Sequence, residues 1–204
     1  LCLFSWHSAV NAEPEVQFER SYVTHDWGQV HILASKPAEL TQATPLVCFA
    51  PNPYSGNYYR LFMEELGSDR IMIAPDYPGI GQSDDYPGSL DMTALASIMA
   101  DTLISMGWGA EGRGPVDLCG YHTGTMLATE LALQHPDLVR RIILMGIPYY
   151  DAEGRQERFE RLGTVKPWPE SFAAVAQDWI FAVEMRNEQV SLERAFGNYL
   201  ESAG

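Results

Sequence analysis

Positive charge is scarce in this chain of 204 residues: 13 Lys and Arg stand against 27 Asp and Glu, a formal net charge of −14. Such a balance repels phosphate backbones and anionic lipid headgroups, which excludes nucleic acid and membrane surfaces as main partners. Long apolar runs are also missing, none reaching the roughly 18 residues of a membrane span. Cysteine is limited to Cys2, Cys48 and Cys119. An odd number builds no disulfide framework, and the last two fall in apolar runs that read as buried, inert thiols. Of the five histidines the last is His135. His25 and His31 flank a turn but have no cysteine or carboxylate at ligand spacing, so no metal is expected there.

What is present is the composition of an ordinary globular protein, 46% hydrophobic and 20% charged, at a length suited to one domain. Three regions are expected: an N-terminal extension over 1–14, a core over 15–150 and a different helical segment over 151–204. Residues 1–12 carry no formal charge, and Val10-Asn11-Ala12 resembles the small-x-Ala site of a signal peptide, although the basic n-region is absent. The expected location is therefore cytoplasmic, or exported to the periplasm if 1–12 is a clipped signal. The chain begins with Leu1 and stops at Gly204 inside a helical pattern, so the expectation is a partial chain.

From residue 15 short apolar runs alternate with helical patterns. Ser21 to Thr24 and Val30 to Ser35 read as a hairpin closed at Asp26-Trp27-Gly28. Buried-strand runs follow at Leu46 to Ala50, Arg70 to Ala74, Val116 to Cys119 and Arg141 to Met145. Between them lie helical patterns near Asn57 to Leu66, at Leu95, Ile98, Met99, Leu103 and Met106 with Ser89 as the expected N-cap, and through Gln134. Alternating strands and helices imply a mostly parallel sheet with helices on both faces, and ligands in such sheets bind beyond the carboxyl ends of the strands.

One such end carries Gly120-Tyr121-His122-Thr123-Gly124, directly after a strand and opening a helix. Small residues two positions either side of the centre are what a sharp, strained turn requires, and the turn pushes the central side chain outward. Here the chain resembles the α/β-hydrolase superfamily, in the lineage of haloalkane dehalogenases, epoxide hydrolases and esterases. The likeness extends over about 15–150. Ala50-Pro51-Asn52-Pro53 is similar to the family's H-G-x-P segment, Ala74-Pro75-Asp76-Tyr77-Pro78-Gly79-Ile80-Gly81-Gln82-Ser83 to its A-P-D-x-x-G-x-G-x-S loop, and His135-Pro136-Asp137-Leu138-Val139 to its H-P-x-x-V.

The resemblance implies an α/β-hydrolase fold, C-terminally incomplete, with strands one to six and part of a helical cap. It implies oxyanion donors at the Asn52 and Thr123 backbone N–H groups, a small-molecule substrate and no cofactor. The Asn52 side chain itself reads either as a ligand contact or as an Asx-type turn. The Thr123 hydroxyl is expected to point away from the reacting atom. Asp76, Gly79 and Gly81 are expected to shape their loop rather than touch substrate.

The departure is at the centre of the elbow, where the family has Ser, Cys or Asp and this chain has His122. No histidine follows where the family places its base, and Asp151 makes a poor substitute for the usual acid. An imidazole there can act as a base toward water or an acidic C–H or O–H, or as a direct nucleophile, or can be a packing residue on a surviving turn. Two functional classes follow: a hydrolase-like enzyme on a small, largely apolar organic substrate, and a ligand-binding pseudohydrolase without turnover. The stripe Phe172, Val175, Trp179 and Val183 is expected to form the apolar underside of the cap, with His122 on the pocket floor beneath it.

Overall fold

The computed structural model describes residues 16–39, 41–162, 172–184 and 190–203. The possible signal segment therefore lies outside the described residues. The six strands among the described residues are β1 (Gln17–His25), β2 (Gly28–Lys36), β3 (Leu46–Phe49), β4 (Met72–Pro75), β5 (Val116–Tyr121) and β6 (Val139–Met145). They form one sheet in the order β1-β2-β4-β3-β5-β6. The hairpin β1–β2 and the pair β2–β4 are antiparallel, whereas β4, β3, β5 and β6 run parallel.

The continuous apolar runs of β3, β4 and β5 reflect burial on both faces, since successive side chains point to opposite sides of a sheet. Val47, Phe49, Ile73 and Leu118 pack on one side with Leu95, Ile98, Met99 and Leu103 of α2 (Met92–Ser105) and with Leu127 and Leu131 of α3 (Thr123–Gln134). Leu46, Cys48, Met72 and Cys119 face the other side, against Tyr59 and Met63; the latter belongs to α1 (Arg60–Leu66). Cys48 and Cys119 are both buried, and burial pushes the Cys48 thiol up, away from the reactive thiolate. Three further helices follow: α4 (Ala152–Leu162), α5 (Phe172–Glu184) and α6 (Leu192–Ala203). The strand β6 lies at the edge of the sheet and leaves Ile142 and Ile143 half-exposed.

The cap of α2 differs from the one expected. Ser89 lies two residues too early, and it is Asp91, with extended backbone at φ −88° and ψ 174°, whose carboxylate accepts from the Ala94 N–H at 2.8 Å. A carboxylate at this position satisfies one of the helix's four orphan donors and meets the positive end of its dipole. Asp91→Ala is expected to lower stability by about 1 kcal/mol in urea unfolding, with no loss of helix content in the native baseline.

Candidate active site

Strand β5 delivers the chain to the sheet's carboxyl edge, and the turn into α3 is made at His122, with φ 51° and ψ −115°. This lies outside even the small left-handed region open to L-residues. The turn is clamped on both sides. The His122 N–H donates to the Met145 carbonyl at 3.0 Å, and its own carbonyl accepts from the Thr125 N–H at 2.9 Å and the Thr125 hydroxyl at 2.6 Å. The flanking glycines are obligatory for a steric reason. A Cβ on Gly120 would stand 2.2 Å from the Gly124 carbonyl oxygen, and one on Gly124 would stand 2.0 Å from that of Phe49.

The His122 ring is exposed, where the sequence reading placed it on a pocket floor. Its Nδ1 lies 3.2 Å from the Thr123 Oγ1. The expectation for Thr123 differs from this: its hydroxyl lies beside the imidazole Nδ1. If Nδ1–H donates to that hydroxyl, the lone pair is on Nε2. The Thr123 N–H is among the first four of α3 and has no intrahelical partner.

Asn52 belongs to the neighbouring strand's exit. Phe49 is in register with Gly120, so the segment after β3 and the elbow after β5 emerge side by side. The Tyr54 N–H closes a turn onto the Pro51 carbonyl at 2.8 Å across a cis Asn52–Pro53 bond. Backbone atoms, not the Asn52 amide, make that turn. Tyr121 stacks on Tyr58 beside it, with ring centroids 6.0 Å apart and planes 10° from parallel.

Other singled-out residues lie elsewhere. Asp151 is exposed and its Oδ1 accepts from the Gly154 N–H at 2.8 Å, which makes it a cap of α4. His25 bonds the Thr102 hydroxyl at 2.9 Å and stacks on Trp27. Of the apolar stripe on α5, the side chains of Phe172 and Val175 lie outside the described residues, while Trp179 and Val183 are half-buried. Trp179 meets Phe196 of α6 edge-on at 5.2 Å. The sequence reading missed one pair altogether: His31 and Asp76, joined at 2.8 Å in the interior. Their signal was a polar residue breaking the apolar run of β2 and an acid directly ending the run of β4. Among the described residues no helix is long and apolar enough to cross a membrane.

A mostly parallel sheet in which strand β5 ends in a strained, glycine-flanked turn opening a helix defines an α/β protein of the nucleophile-elbow class. Residues 44–196 match the family model of the α/β hydrolase fold, and the chain belongs to that family. It is 35% identical over 91 residues to 2-hydroxymuconate semialdehyde hydrolase of Pseudomonas sp. (strain CF600), a match covering 43% of this chain and 30% of that protein. Among solved structures it is similar to Cfl2 of Burkholderia cenocepacia, with TM-score 0.69 and 24% identity over 90% of this chain and 65% of that one. It is also similar to the N-acyl homoserine lactonase AidH complexed with N-butanoyl homoserine, with TM-score 0.63 and 20% identity over 90% of this chain and 64% of that one. The chain thus spans about a third of the curated relative, and the structural likenesses bear on the fold.

Proposed function

We propose that the chain carries the elbow half of a hydrolase acting on a small, largely apolar organic substrate, with His122 as the group presented to it. The observation that supports this most is the backbone of His122, a bulky L-residue held at φ 51° and ψ −115°. Such strain is of order 1–3 kcal/mol and persists where surrounding structure enforces it, which is characteristic of reacting positions. In this reading the Nε2 lone pair of His122 takes a proton from water as the water oxygen attacks a carbonyl carbon. The N–H groups of Asn52 and Thr123 hold the resulting oxyanion, and the imidazolium returns the proton to the departing oxygen. The apolar side chains of α5 and α6, with Ile180 and Phe196 exposed, favour an apolar substrate. Two of the similar proteins are by name a 2-hydroxymuconate semialdehyde hydrolase and an N-acyl homoserine lactonase, which supports this reading.

A second reading, binding without turnover, is favoured by the absence of Ser, Cys or Asp at the elbow centre. Two measurements separate the readings. A fluorophosphonate that labels active serines should leave the elbow unmodified, and stoichiometric labelling there would refute both. On p-nitrophenyl acetate and butyrate, His122→Ala should lower kcat/KM at least about tenfold, about 1.4 kcal/mol, with the circular dichroism unchanged. Equal rates in variant and parent would remove His122 from the chemistry. No turnover by the parent, together with saturable binding of the esters, would establish the binding reading.

A further inference from the structure

Two tyrosines beside the elbow have no role in that reading. Tyr121 ends β5 and directly precedes His122, and Tyr58 lies in the helical turn Gly56–Tyr59 that follows the Asn52 segment. Their rings stack on each other, yet Tyr58 remains 37% and Tyr121 39% exposed. The half-buried Tyr54 adds a third ring, 5.4 Å from that of Tyr58. Aromatic surface left open to water is unfavourable, and a contiguous patch of it is characteristic of binding surfaces. This patch stands at the carboxyl edge of the sheet, where ligands of α/β proteins bind.

Both rings sit on rigid supports. The turn that carries Tyr58 is tied down by Asp76, whose Oδ1 accepts from the Gly56 N–H at 2.7 Å and whose Oδ2 lies 2.8 Å from His31 Nδ1. A Cβ on Gly56 would stand 2.3 Å from the Ala74 carbonyl oxygen, so the turn is pressed against β4. The buried Tyr59 donates its hydroxyl to the Phe49 carbonyl at 3.0 Å and meets the Tyr58 ring edge-on at 5.5 Å. Tyr121 lies against Gly146, the residue after its register partner Met145. A Cβ on Gly146 would stand 2.8 Å from Tyr121 Cε2, and its φ of 61° also favours glycine. Rings fixed in this way have little freedom left to lose when a ligand binds.

We propose that Tyr58 and Tyr121 form an aromatic shelf that selects substrates carrying a planar aromatic group, which stacks on the shelf while the ester carbonyl lies at His122. This deepens the hydrolase reading and rests on it. Adjacent Cα atoms are about 3.8 Å apart, so a small substrate reaches Tyr121 and His122 together. A flat group is favoured over a saturated one by the arrangement of the rings. Their planes are 10° from parallel, so one flat group meets both in the same orientation, and stacking of aromatic faces contributes beyond the area buried. A saturated ring gains the area alone. Burial, with Tyr121 and Tyr54 alongside, pushes the Tyr58 phenol up from its ordinary value, so this ring stays neutral at pH 7 and calls for no charge on the ligand.

Titration of 2-acetonaphthone and 2-acetyldecalin, ketones of nearly equal size with no ester bond to cleave, into protein with ¹³C-labelled tyrosine rings tests the shelf. The naphthyl ketone is expected to shift the Tyr58 and Tyr121 resonances saturably, with a Kd at least about fivefold below that of the saturated ketone. Tyr58→Leu and Tyr121→Leu should each weaken the naphthyl ketone by about three- to tenfold and leave the saturated one within about twofold. Tyr58→Phe and Tyr121→Phe keep the rings and should bind like the parent, which keeps the test decisive if a leucine variant misfolds. Equal affinity for the two ketones overturns the shelf, as does a preference that persists in both folded leucine variants. Loss of the preference in the phenylalanine variants would assign recognition to the hydroxyls and overturn stacking. Turnover of p-nitrophenyl acetate is read separately. Turnover with no aromatic preference overturns the shelf and leaves the hydrolase reading standing, whereas aromatic preference with no turnover overturns the hydrolase reading and supports the shelf as a ligand site.

Discussion

Gly124→Ala should destabilise the protein by about 3 kcal/mol or more, the larger end of what overpacking does to a well-filled interior. The added Cβ would stand 2.0 Å from the Phe49 carbonyl oxygen and 3.1 Å from the Phe49 Cβ. Neither can give way cheaply, because Phe49 is fully buried in the central strand β3 and its carbonyl also accepts the Tyr59 hydroxyl at 3.0 Å. Helix α3 must then lift from the sheet. Against a total stability of about 5–15 kcal/mol such a loss is a large fraction of the whole. Gly197→Ala is the matched control. Gly197 lies inside α6 with nothing within 4 Å of a built Cβ, so the same substitution should stabilise by about 0.5–1 kcal/mol through helix propensity and the unfolded chain. Urea midpoints that move in opposite directions are the expected outcome. A Gly124→Ala midpoint equal to that of the parent would mean that α3 and β3 are not in the close contact described.

His122→Gly should separate stability from activity. Glycine adopts φ 51° and ψ −115° without a Cβ clash, so the variant releases strain of order 1–3 kcal/mol and gives back about 0.5–1 kcal/mol of chain entropy. The net expectation is a gain of roughly 1 kcal/mol, read as a higher urea midpoint with an unchanged slope. Ester hydrolysis should fall at least about tenfold in the same protein, because the only imidazole at the elbow has gone. A residue kept for packing gives the opposite result on both axes: lower stability and unaltered chemistry. Stabilisation together with loss of turnover identifies a position at which stability is sacrificed for function.

Much of the elbow was legible before any coordinates, because its requirements are local. Gly120 and Gly124 sit two residues either side of His122, and that spacing is the steric condition for the turn. The same holds for the strand and helix alternation, since burial on both faces writes itself as continuous apolar runs and a helix as a 3.6-residue period. The cap of α2 differs by two residues for an equally local reason: Ser89 and Asp91 are both capable acceptors, and choosing between them takes the φ and ψ of the capping residue itself.

By itself, then, the sequence determined the layered α/β architecture, the site of the strained turn and the chemistry available there. Only the tertiary structure decided which polar residues meet. His31 and Asp76 are 45 positions apart, and each alone reads as unremarkable: a histidine in a hairpin and an acid ending a strand. They pair because β2 and β4 lie side by side, with Ile32 in register with Pro75. Side-chain periodicity tells which face of a strand is buried, but it carries no information about which strand lies alongside. That choice is made by the packing of the whole sheet, and the buried His31–Asp76 pair follows from it.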